Sequence, residues 1–148
     1  MNQIYFVCTG NTCRSPIAAA IANKHFTENS LGFIAHSRGV AAGSAPASEN
    51  ASAVISGLGL SLTDHISRRI SAEDVLAAHS IITMTNFHKA FVLSNFADCA
   101  EKVYTLGEIS SAGLDISDPF GGNLPAYQAC MEQIYGLLLL WFEKGVFK

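Results

Sequence analysis

The chain has 148 residues, 49% hydrophobic and 14% charged, with a net charge of −3. That length supports one domain with a proper core, and that composition excludes a disordered chain. Nine Lys and Arg, scattered among twelve Asp and Glu, exclude a nucleic-acid-binding face. The longest apolar run, Leu137–Phe142, is too short to span a bilayer, so no membrane partner is expected.

Gln3–Cys8 reads as a buried strand, and Cys8-Thr9-Gly10-Asn11-Thr12-Cys13-Arg14-Ser15 follows as a tight loop. A helix is predicted over Ser15–Glu28, with Pro16 well placed in its first turn. Phe33–Val40 is a second strand, ended by the loop Ala41–Pro46. Ala47–Ser56 reads as helical, closed by Gly57 and Gly59. Ser71 caps a short helix that carries Glu73 and Asp74 in its first turn. Ser80–Thr85 is a third strand, Asn86–Ala97 a helix and Lys102–Leu106 a fourth strand. A glycine-bearing loop over Ser110–Asn123 leads into a last helix, Leu124–Glu143. The alternation predicts an α/β single domain over residues 1–148. A central four-stranded parallel sheet carries helices on both faces, with a phosphate-binding loop between first strand and first helix. In such sheets ligands sit beyond the carboxyl ends of strands, where Cys8 falls.

The loop suits a thiolate that attacks phosphorus. Backbone N–H groups of a tight turn and a helix N-terminus hold phosphate oxygens, so Thr9, Gly10, Asn11, Thr12, Cys13, Arg14 and Ser15 are the candidate phosphate-binding residues. Arg14 adds a planar fork for two oxygens. The same positive surroundings are expected to lower the Cys8 thiol, leaving it largely thiolate at neutral pH. Two other motifs fail. No Gly-Lys of a Walker loop is present, and no Cys-x-x-Cys pair suggests zinc. No cofactor and no metal are expected. Departure of the leaving group needs a proton donor. Asp118, in a long loop before Pro119, is the candidate, although an Asp-Pro pair by itself reads more readily as a plain turn.

The loop resembles the active-site signature of the low-molecular-weight protein tyrosine phosphatases. Further likenesses are Ser37-Arg38-Gly39, His65-Ile66-Ser67-Arg68, Ile81–Thr85 with His88 beyond it, and Asp118-Pro119-Phe120, so the likeness spans nearly the whole chain. The resemblance implies a protein phosphatase with a phosphocysteine intermediate. Cys8 would be nucleophile, Arg14 phosphate clamp and Asp118 general acid. Asn11, Ser15, Ser37 and His65 would brace the loop, and Cys8 and Cys13 would form a reversible protective disulfide. Its partners would be a phosphoprotein substrate and inorganic phosphate or other oxyanions. No basic segment precedes the first strand and the cysteines lack regular spacing, which points to a cytoplasmic chain with reduced thiols. His25, His36, His79 and His88 are read as structural.

Substrate choice rests on Thr12, Ala41 and Phe120. Tyrosine-specific relatives commonly carry Ile at the Thr12 position and aromatic residues after Asp-Pro. Thr12 and Phe120-Gly121-Gly122 instead resemble the bacterial protein-arginine phosphatases. Ala19 and Ala41 depart from that branch, which usually has Glu and an aromatic there. The expectation leans to phosphoarginine, with phosphotyrosine as the alternative. An arsenate reductase is the remote alternative, disfavoured because Cys99 and Cys130 lie too far apart to resemble its relay pair.

Overall fold

The computed structural model describes residues 1–147 and places strand β1, Asn2–Cys8, inside a four-stranded sheet, buried on both sides over most of its length. Its side chains alternate with the pleat. Ile4, Phe6 and Cys8 join one core, while Tyr5 and Val7 join a second. The strand order is β2-β1-β3-β4, with β2 at Phe33–Gly39, β3 at Ala78–Thr83 and β4 at Val103–Thr105. Every pairing is parallel.

Helices cover both faces, as the alternation requires. Ile17 and Phe26 of α1 (Arg14–Glu28), Ile55 of α2 (Glu49–Ser56) and Ile134 and Leu138 of α5 (Leu124–Glu143) fill the first core. Val75 of α3 (Ala72–Ala77) and Val92 of α4 (Asn86–Asn95) fill the second. Burying a side chain of this size stabilises by about 1.5–3 kcal/mol, so the two cores fix where β1 ends. Among the described residues no helix is long and apolar enough to cross a membrane.

Element boundaries differ locally from the sequence expectation. Strand β3 starts at Ala78 rather than Ser80, because Ala78 pairs with Gln3 ahead of a register shift at Gln3 and Ile4. Helix α2 starts at Glu49, since the Ser48 hydroxyl caps it by accepting from Ala51 N–H. Helix α4 ends at Asn95, and β4 stops at Thr105 where a 3₁₀ turn over Leu106–Ile109 begins.

The parallel strands bring Cys8, Gly39, Thr83 and Thr105 to one edge of the sheet. The chain leaves β1 for β2 on one side and returns to β3 on the other, which opens a crevice at that edge. Beyond β3, Met84 N–H donates to Val7 O at 2.9 Å, and Ile116 N–H donates to Met84 O at 2.9 Å. These two bonds lay the Asp118 loop over the end of β1.

Candidate active site

The loop from Cys8 to Arg14 turns its carbonyls outward, and each of four finds a donor. Val40 N–H reaches Cys8 O at 2.9 Å, Ala41 N–H reaches Thr9 O at 3.0 Å and Ser48 N–H reaches Thr12 O at 3.0 Å. His65 Nε2 lies 2.6 Å from Asn11 O and donates to it. With its carbonyls held away, the loop is left with N–H groups for an anion. Helix α1 begins at Arg14 behind Cys13, and no side chain caps its first turn. The orphan donors of that turn therefore join the loop donors, and the positive helix end favours negative charge.

Asn11 sustains the turn with φ +59°, a left-handed conformation that Asn tolerates better than most residues. Its side chain is fully buried and used at both ends. Oδ1 accepts from Arg68 N–H at 2.9 Å, and Nδ2 donates to Ser15 Oγ at 2.9 Å. Ser15 Oγ in turn lies 2.9 Å from Cys8 Sγ and 3.2 Å from Arg38 O. With a neutral thiol, the Ser15 proton goes to the Arg38 carbonyl. With a thiolate, that proton turns to sulfur, because only the hydroxyl can then donate.

Burial is the largest influence on Cys8 and raises its thiol above the ordinary value. The Ser15 hydroxyl and N–H, the Arg14 charge and the Asn11 N–H pull it back down without overcoming that effect. This corrects the expectation of a thiolate in the free protein. The sequence announces the donors but not the desolvation, which disfavours the charged form of a residue only 2% exposed.

Arg14 is buried, and its guanidinium is held from two sides. Nη1 donates to Ile116 O at 2.9 Å, while Nη2 lies 3.4 Å from Thr9 Oγ1 and 3.4 Å from Asp118 Oδ2. Asp118 is half exposed, and its Oδ1 accepts from Phe120 N–H at 3.0 Å, which tightens the turn after the Asp-Pro pair. Gly121, at φ +79°, completes that turn where other residues are strained. The result is a cleft of about 200 Å³ lined by Cys8, Thr9, Gly10, Asn11, Thr12, Cys13, Arg14, Asp118 and Phe120. A buried thiol, a buried cation and a half-exposed carboxylate lining one cleft suit phosphoryl transfer.

Residues 3–144 match the model of the low molecular weight phosphotyrosine protein phosphatases. The chain belongs to this family. It is 37% identical over 145 residues to a protein-arginine-phosphatase of Geobacillus stearothermophilus, covering 96% of this chain and 95% of that one. Its fold superposes with a TM-score of 0.93 on a low molecular weight protein tyrosine phosphatase from T. tengcongensis. That pair is 34% identical, with 97% and 99% of the chains covered. A cysteine-to-serine mutant of the YwlE arginine phosphatase, carrying a phosphorylated active-site serine, matches with a TM-score of 0.90 and 31% identity over 96% and 94% of the chains.

In this low molecular weight phosphatase the structure distributes the remaining candidates unevenly. Thr12 is half-buried in the cleft, and Phe120 is 75% exposed at its mouth. Ala41 is exposed and is not part of the cleft lining, because its N–H is drawn beneath the loop by Thr9 O. Ser37 does not reach Asn11 through its side chain, contrary to the expected network. Ser37 instead lines a separate cleft, together with Pro16, Ala19 and His65. His65 braces the Asn11 carbonyl rather than its amide. Cys13 is a free thiol, 3.4 Å from the Tyr127 hydroxyl and 3.5 Å from Ser48 Oγ. Cys99 and Cys130 belong to the two different cores, on opposite faces of the sheet.

Sequence reasoning missed two participants. Ile116 offers a backbone carbonyl, which no residue type announces. His88 reads as structural in the sequence, yet its Nε2 lies 2.8 Å from Thr9 Oγ1 in the loop. Its position just past the third strand is the signal that was available, since that edge of the sheet carries the site.

Proposed function

We propose that the chain is a protein phosphatase that acts on arginine-phosphorylated proteins through a phosphocysteine at Cys8. The observation that carries the reading is the placement of Cys8 Sγ in the loop cleft with Arg14 and Asp118 facing each other at 3.4 Å above it. The substrate phosphoryl group enters the ring of loop N–H donors and takes the Nη2 edge of Arg14. The Cys8 thiol proton passes by way of a phosphoryl oxygen to Asp118, Cys8 attacks phosphorus as thiolate, the S–P bond forms and the P–N bond to the guanidinium breaks. Asp118, released from Arg14, hands its proton to the departing nitrogen. Water then attacks phosphorus and gives a proton back to Asp118. The S–P bond breaks, and the Ser15 hydroxyl donates to the sulfur that leaves. Under oxidants Cys8 and Cys13 pair and are spared further oxidation.

Thr12 supports the arginine reading, because its hydroxyl gives a guanidinium a polar partner inside the cleft. The 37% identity to a protein-arginine-phosphatase supports it as well. Phosphotyrosine is the second reading, favoured by the exposed Phe120 ring at the mouth, which offers an aryl group a stacking face. The scattered charge favours protein substrates over nucleic acid, and a reduced cytoplasmic setting keeps both loop thiols free. Hydrolysis of matched phosphoarginine and phosphotyrosine peptides by the pure protein tests the reading. A higher kcat/KM on phosphoarginine is expected, and a higher value on phosphotyrosine would reverse the assignment.

A further inference from the structure

Thr9 Oγ1 sits between two nitrogens, one on Arg14 and one on His88. A guanidinium can only donate, so Arg14 Nη2 uses a lone pair of that oxygen at 3.4 Å. His88 Nε2 lies 2.8 Å from the same oxygen, and in the tautomer assigned here, with the ring proton on Nδ1, it accepts the Thr9 proton. In that tautomer Nδ1 donates to Thr85 Oγ1 at 2.9 Å. Thr85 is the N-cap of α4, and its Oγ1 also accepts the His88 backbone N–H at 3.2 Å. One hydroxyl thus holds both the ring and the start of the helix that carries it. His88 is 1% exposed, whereas Thr9 is exposed. Burial and then the Arg14 charge push the imidazole down to about 4, so at neutral pH the ring is neutral and one of its nitrogens is free to accept.

We propose that His88 is a positioning residue for the phosphate clamp: its neutral ring orients the Thr9 hydroxyl so that a lone pair faces Arg14 and fixes the Nη2 edge at the cleft. The proposal rests on the reading of the Cys8 loop as a phosphate site. A buried histidine that merely filled the second core would have no need of an exposed loop hydroxyl on one nitrogen and a helix cap on the other. The Arg14 guanidinium is anchored at Nη1 by Ile116 O, and Nη2 is held by Thr9 Oγ1 from the loop and by Asp118 Oδ2, each at 3.4 Å, of which the Thr9 contact is the one that remains when Asp118 turns to the leaving group.

Inorganic vanadate, a phosphoryl-transfer mimic, is the probe, and its dissociation constant is the readout. Thr9→Val removes the hydroxyl, His88→Phe keeps the ring volume without its nitrogens, and His88→Gln restores an acceptor at the Nε2 position. Each of the first two is expected to weaken vanadate by about 2- to 10-fold, the worth of one hydrogen bond. The double variant should be no weaker than either alone, and His88→Gln and Thr9→Ser should recover most of the affinity. Wild-type affinity in folded Thr9→Val would overturn the positioning role, and so would losses that add fully in the double variant. Thr9→Val leaves the second core untouched, so that arm decides even where His88→Phe fails to fold. Wild-type protein that binds no vanadate at all would overturn the phosphate-site reading itself, and the positioning role with it.

Discussion

Gly39 lies so close to the phosphate loop that a β carbon there would stand 2.4 Å from the Thr9 carbonyl oxygen, and 3.0 Å from Asn11 Cβ. Its place in the Ser37-Arg38-Gly39 run is therefore steric. The end of β2 must touch the loop for Ala41 N–H and Val40 N–H to hold the carbonyls of Thr9 and Cys8. Gly39→Ala is expected to cost about 1–3 kcal/mol of stability, the usual range for overpacking, and to weaken phosphate binding. Denaturant titration with and without phosphate measures both. A folded variant of wild-type stability and affinity would show the loop to be more pliant than its contacts imply.

Ser15 is the first group that draws the Cys8 thiol downward against its burial. Removing the hydroxyl in Ser15→Ala takes a charge-assisted donor from the thiolate but only an acceptor from the weakly donating neutral thiol. The thiol should then ionise at higher pH than in wild type. The pH dependence of alkylation by iodoacetamide, a neutral reagent that consumes thiolate, reads this directly. Its midpoint should move upward, and an unmoved or lowered midpoint would remove Ser15 from the thiolate's support.

Asp118→Asn removes the proposed proton donor and keeps the shape of the loop. Phosphoarginine and unactivated aryl phosphates should lose about 10²–10⁴-fold in kcat, while activated aryl phosphates, which leave without help, should lose far less. The ratio across a leaving-group series is the measurement. Equal losses along the series would argue for a purely electrostatic role beside Arg14.

Thr12→Ile fills the same half-buried position with an apolar side chain and deletes the hydroxyl. The change should shift the kcat/KM ratio from phosphoarginine toward phosphotyrosine peptides by about 5- to 150-fold, the equivalent of one buried hydrogen bond of about 1–3 kcal/mol. An unchanged ratio would leave Thr12 with a packing role and move selectivity to Phe120 and its loop.

Much of the fold and the heart of the cleft are legible in the residues because they are local. A strand-like run, a glycine-bearing turn and a proline in the first turn place Cys8, Asn11, Arg14 and Ser15 within a few residues of each other. Asp118 was legible only as part of a pattern, since a lone Asp-Pro has no distinguishing chemistry. The features the residues did not reveal depend on distant chain segments. His88 meets Thr9 across 79 positions, and Ile116 meets Arg14 across 102. The net effect on Cys8 depends on how much of the fold shuts out water, and a list of nearby donors does not contain that. The early start of β3 belongs to the same class, because Ala78 is made extended by its pairing with Gln3 rather than by its own propensity.

The central claim is that phosphorus passes through sulfur at Cys8, and trapping that bond tests it most directly. Pure protein mixed with a large excess of a fast aryl phosphate is quenched during turnover in alkaline denaturant, where an S–P bond survives. Phosphorus NMR and peptide mass spectrometry then locate the phosphate. An S-phosphorylated Cys8 is expected in wild type, none in Cys8→Ala, and Cys8→Ala should be inactive. Steady turnover with no phosphate on Cys8, or turnover that survives Cys8→Ala, would contradict the mechanism.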